Sequence, residues 1–66
     1  MSLSTLINLV NTETELNLFD EYDIQIGSFN RDNVETRYYN CEILYINPYD
    51  VGKMYVSIDT SELMIN

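Results

Sequence analysis

TELNLFDEYDIQIGSF, residues 14–29, decides the architecture. Leu16 and Leu18 alternate with polar neighbours, the run Asp20-Glu21-Tyr22-Asp23 follows, and Ile24 and Ile26 alternate again. A period of two marks a strand buried on one face, and two such runs around a polar cluster predict a β-hairpin with an acidic tip. Leu16 and Leu18 face inward in this reading, with Glu13, Glu15, Asn17 and Phe19 on the opposite side. The tip lacks the Asn-Gly or Asp-Gly pair of the tightest turns, so a loop of about four residues is expected. Gly27 marks a bend or bulge in the return strand.

Upstream, Leu3, Leu6, Ile7, Leu9 and Val10 recur at helical spacing and predict a helix of about two turns, capped by Ser2 or Ser4. So short a helix does not persist alone, which requires its apolar face to lie on the sheet. Downstream, periodicity lapses over 30–40, which suits a loop or one helical turn around Val34. Residues 41–46 form an apolar run of strand length with Ile43 and Tyr45 inward, and 47–52 is a hairpin loop opened by Pro48. Over 53–59, Met54, Val56 and Ile58 alternate with Tyr55, Ser57 and Asp59, the clearest strand pattern in the chain. From Thr60 the tail either frays or makes a last helical turn that lays Leu63, Met64 and Ile65 over an edge of the core.

The predicted fold is a single α+β domain over 1–66, with a short N-terminal helix packed on a mainly antiparallel four-stranded sheet made of two hairpins. Its expected core is Leu6, Leu9, Val10, Leu16, Leu18, Ile24, Ile26, Ile43, Tyr45, Met54, Val56 and Ile58. A chain of 66 residues buries only about 60% of its unfolded surface, and with one cysteine and no histidine it has neither disulfide nor zinc to compensate.

Eleven Asp and Glu stand against Arg31, Arg37 and Lys53, for a net charge of −8. Such a balance excludes direct nucleic-acid binding, which depends on Lys and Arg neutralising phosphates, and excludes anionic membrane surfaces for the same reason. No apolar run approaches the roughly 18 residues of a membrane span, so a cytoplasmic location with Cys41 reduced is expected. Without histidine, neither Cys41 nor any serine has a base to activate it, and Cys41 is expected to be buried and structural. The cluster Asp20, Glu21 and Asp23 lacks the spacing of a calcium loop, and a convex tip offers no substrate cleft. The reading is therefore a non-enzyme with no catalytic residue, no metal and no cofactor.

What remains is an acidic, tyrosine-rich surface. On a strand, Glu13 and Glu15 point the same way about 7 Å apart, and that ladder is expected to continue through the hairpin tip. A row of fixed carboxylates with tyrosines as contact area suits a groove lined by Lys and Arg. The candidate partner-binding residues are Glu13, Glu15, Asp20, Glu21 and Asp23 as phosphate surrogates, with Tyr22 and Tyr55 as contact aromatics. The alternative is a small structural or interaction module, such as a homodimer pairing edge strands, in which acidity serves only solubility.

The helix segment Thr5-Leu6-Ile7-Asn8-Leu9-Val10, the strands Thr-Glu-Leu-Asn-Leu-Phe-Asp (14–20) and Ile-Gln-Ile-Gly-Ser-Phe (24–29), then Cys-Glu-Ile-Leu-Tyr-Ile (41–46) and Lys-Met-Tyr-Val-Ser-Ile-Asp (53–59) complete the pattern. Together they resemble small acidic proteins encoded by phages and mobile elements of Gram-positive bacteria. The resemblance implies an inhibitor of a host defence nuclease of the anti-CRISPR or DNA-mimic type, acting in the host cytoplasm. The partner it implies is a basic nucleic-acid-binding host protein such as a CRISPR nuclease. It supplies no catalytic residue.

Overall fold

Strands β1 (Glu15–Phe19) and β2 (Gln25–Phe29) form the first hairpin, and β3 (Ile43–Asp50) with β4 (Lys53–Ile58) the second. A computed structural model describes residues 1–64. The side chains of Tyr49 and Met64, and the predicted packing of Ile65, lie outside that description. The order across the sheet is β2-β1-β4-β3, with β1 and β4 running parallel from Glu15 beside Lys53 to Phe19 beside Ser57. One short helix and four strands make the molecule α+β, as expected. The sheet is mixed, however: a parallel pair sits at its centre between two antiparallel hairpins, where a mainly antiparallel sheet was predicted.

Composition accounts for that order. Leu16 and Leu18 on β1, with Val56 and Ile58 on β4, are fully buried, so these two strands gain most from neighbours on both sides. β2 carries Gly27 and Ser28, and β3 carries Pro48, which lacks the N–H that a central strand must donate. Both weaker strands lie at the edges. The connector 30–42 therefore crosses from one edge to the other beneath the sheet, and buries Val34, Tyr38 and Cys41 on the way.

Helix α1 (Leu3–Ile7) shares this lower layer and buries Leu3, Leu6 and Ile7. Each such side chain contributes roughly 1.5–3 kcal/mol on leaving water. The Ser2 hydroxyl caps the helix by accepting from the Thr5 N–H, while the Leu3 and Ser4 N–H groups donate to the carbonyls of Cys41 and Tyr39 at 2.9 and 3.0 Å. N–H groups of the opening turn, which no helical turn can satisfy, are thus taken up by the connector. The helix stops at Ile7, so Leu9, predicted to be core, is 71% exposed and Val10 only partly buried.

The other departures have local causes. β2 begins only at Gln25, after a bulge that sets Gln25 opposite Phe19 where Gly27 faced Leu18, so Ile24 lies in the loop and is 64% exposed. In β3, Ile43 faces Ile58 while Tyr45 faces Ser57, so Tyr45 turns from its expected core position to the open face of the sheet. An extra residue in one strand reverses the inside and outside of all that follow it. The predicted loop 47–52 is also shorter: β3 continues through Pro48 to Asp50, and the turn is Val51-Gly52, with Gly52 at φ 75°. Of the two outcomes left open for the tail, Ser61–Met64 takes the helical turn, as a 3-10 helix.

Candidate partner-binding face

The acidic tip is a fixed loop. One carboxylate oxygen of Asp20 accepts from the N–H groups of Tyr22 and Ile24 at 2.8 and 3.0 Å, so the side chain closes the turn locally. Its carbonyl accepts from the Ser57 hydroxyl at 3.1 Å, which draws the loop over the open face of β4. Asp23 takes the left-handed conformation at φ 64°, which Asp tolerates better than most residues, and accepts from the Tyr45 hydroxyl at 2.8 Å. This bond pushes the Tyr45 phenol above its ordinary ionisation range, helped by burial and by the Asp23 charge.

Glu21 reaches the other way. One of its oxygens accepts both the Thr60 N–H at 2.9 Å and the Thr60 hydroxyl at 2.8 Å, clamping the tip to the segment that leaves β4. Hydrogen bonding by the Thr60 N–H, then by the Glu21 backbone and the Thr60 hydroxyl, holds this carboxyl below the usual glutamate value. Between these anchors Tyr22 is 77% exposed, and Ile24 follows it at 64%.

Glu13 and Glu15 lie elsewhere. Glu15 opens β1, whereas the tip follows its far end, so the two groups stand apart by the strand's five residues, roughly 16 Å at 3.3 Å per residue. That is about two Debye lengths at physiological salt, and the groups act as separate patches rather than one ladder. Asn17 and Phe19 occupy the outward positions between them. Glu15 accepts from the Asn17 amide at 3.1 Å and has Lys53 as its register partner, while exposed Glu13 has its backbone N–H bonded to Asn11.

The open face of the sheet carries the feature that alternation alone did not reveal. Phe19 and Tyr55, from adjacent central strands, meet with ring centroids 5.1 Å apart at 59°, a tilted aromatic pair. With Tyr45 and Asp23 they line a shallow, mostly apolar basin, beside which the Asp23 carboxylate is held by the Tyr45 hydroxyl. Next to it the Asn17 carbonyl oxygen accepts from the hydroxyl of Ser28 at 2.6 Å and the amide of Gln25 at 3.4 Å, so this buried amide is satisfied. The outward parity of Phe19 and Tyr55 was readable, but their meeting depends on the parallel β1–β4 register.

Cys41 is buried as expected. Burial first, then the charges of Asp59, Glu21 and Glu62, push its thiol above the ordinary cysteine value, the opposite of what a nucleophile requires. Among the described residues no group of three or more His, Cys, Asp or Glu is arranged to hold a metal ion, and no helix is long and apolar enough to cross a membrane. Comparison with protein-family models, curated proteins and solved structures finds no match to this chain.

Proposed function

We propose that this protein is a non-enzymatic binding protein that occupies a basic surface of a partner, of the kind that ordinarily holds a nucleic-acid backbone. The resemblance to phage-encoded proteins suggests a host defence nuclease, CRISPR nucleases included, as the class of partner, with binding acting as inhibition in the cytoplasm. The observation that carries the reading is the hairpin tip. Tyr22 and Ile24 project from a loop whose conformation Asp20, Glu21 and Asp23 already fix, so apolar contact area and negative charge come together at little ordering cost. The charge surplus is not cancelled locally: Arg31 lies 3.9 Å from Asp32 and Arg37 3.1 Å from Glu35, against eleven acids.

Cleavage assays with a panel of basic nucleases, run with and without the protein at low and physiological salt, test this. Inhibition should weaken steeply as salt rises, and should fall when Asp20, Glu21 and Asp23 are reversed to Lys. Inhibition indifferent to both, or none at all, overturns it.

A second reading is favoured by β3, an edge strand whose Leu44, Tyr45 and Ile46 are exposed in succession. A second copy pairing along this stretch would cover them. Sedimentation then shows a concentration-dependent dimer that ignores salt and is lost in Ile46→Lys.

A further inference from the structure

The basin on the open face brings aromatic surface together with a carboxylate. Phe19 and Tyr55 supply two tilted rings, Tyr45 a third, and Asp23 a carboxylate beside it. Rings present negative faces, so aromatic surface beside a carboxylate favours a positive group that makes both contacts at once. A neutral apolar ligand would also cover the rings, but it would strip water from Asp23 without replacing it, which is costly. The geometry is fixed in advance: the Tyr45 hydroxyl holds Asp23 at 2.8 Å, and the Asp20 carbonyl to Ser57 bond holds the loop that carries it. The chain's own arginines are engaged elsewhere, Arg31 on the Val10 carbonyl and Arg37 over the Tyr38 ring at 4.8 Å.

We propose that the basin formed by Phe19, Tyr45, Tyr55 and Asp23 receives an arginine side chain of the partner, its guanidinium stacked on the rings and paired with the Asp23 carboxylate. Arginine suits it better than lysine because the guanidinium is planar, more weakly hydrated and able to stack and form directed hydrogen bonds together. The inference rests on the reading of the protein as a binder of basic surfaces. It deepens that reading by placing a specific contact beside the tip: Asp23 belongs to both.

The test uses the intact protein and three capped tripeptides, Gly-Arg-Gly, Gly-Lys-Gly and Gly-citrulline-Gly, the last isosteric with arginine but neutral. Resonances of Phe19, Tyr45, Tyr55 and Asp23 are followed by NMR through each titration. Saturable shifts confined to these residues, strongest for the arginine peptide and absent for citrulline, are expected. Asp23→Asn, which suits the left-handed backbone and preserves the fold, should weaken arginine binding roughly three- to fivefold, as for a partly exposed charge pair. An equal response to citrulline, or shifts spread over every carboxylate, overturns the proposal. Failure here differs from failure of the broader reading. A nuclease inhibited in a salt-dependent manner by Asp23→Asn and Tyr55→Leu as strongly as by the native protein removes the basin and leaves the reading. Arginine binding in the basin without inhibition of any basic nuclease removes the reading and leaves the basin.

Discussion

Glu21 holds Thr60 by two hydrogen bonds to a single carboxylate oxygen, at 2.9 and 2.8 Å, across most of the length of the chain. Hydrogen bonding lowers the Glu21 carboxyl below its ordinary value of 4.5, so its contribution to stability is present above that pH and lost as pH falls through the folded value. Denaturant midpoints should therefore separate the native protein from Glu21→Gln most above pH 4.5, and the gap should close on acidification. Asp59, lowered through its bonds to the Ser61 side chain and N–H, leaves a residual acid sensitivity of the same sign in the variant.

The helix boundary makes a paired prediction. Leu3 is fully buried and Leu9 mostly exposed, although the periodicity treats both as one apolar face. Leu3→Ala should cost about 2–5 kcal/mol and Leu9→Ala no more than about 0.5. A domain of this size has only roughly 3–10 kcal/mol in hand, so Leu3→Ala should remove a large fraction of it, read as a lowered denaturant midpoint by circular dichroism.

Two glycines should respond for different reasons. A Cβ on Gly27 would meet the Phe29 ring at 2.9 Å, so Gly27→Ala must push that ring off the strand it covers, at about 1–3 kcal/mol. At Gly52 nothing lies within 4 Å and the strain is only that of φ 75°, so Gly52→Asn should cost a few tenths and Gly52→Val distinctly more. Thermal melts of the three variants would separate steric from conformational cost.

Cys41 offers a reporter of opening. Its thiol is buried and its ionisation is pushed up by burial and by Asp59, Glu21 and Glu62, so the folded chain should resist alkylation. With alkylation slower than reclosing, labelling should follow the small open population and accelerate about tenfold in Leu3→Ala for each 1.4 kcal/mol of stability lost. Rapid labelling of the native protein at neutral pH would contradict the packing of the connector. The raised thiol also predicts loss of stability as pH rises through and beyond 9.0, the ordinary cysteine value.

The central strands β1 and β4 were legible because Leu16 and Leu18, and Val56 and Ile58, obey a local period that burial enforces. The order of the four strands was not legible in that alternation: it is carried by the weaker composition of β2 and β3, Gly27, Ser28 and Pro48, which a period of two does not record. Gly27 signalled the bulge in β2, whereas the one that turns Tyr45 outward was silent, because one inserted residue leaves composition unchanged while reversing parity. Leu3, Ile7, Val34 and Tyr38 were missed from the core for a related reason. Val34 and Tyr38 sit in an aperiodic connector, and their burial follows only from its path beneath the sheet. At the candidate site, residue types were visible but engagement was not: Asp20, Glu21 and Asp23 read as free charges, and each holds the loop in place.

Pro48 lies within an exposed edge strand and opposite Met54. A ladder of backbone bonds extending from copy to copy along that edge would meet a gap where the ring replaces a donor, and stacking into fibrils would stall there. Concentrated solutions of the protein should stay clear for this reason, and replacing Pro48 with valine should convert the same edge into a template for thread-like growth.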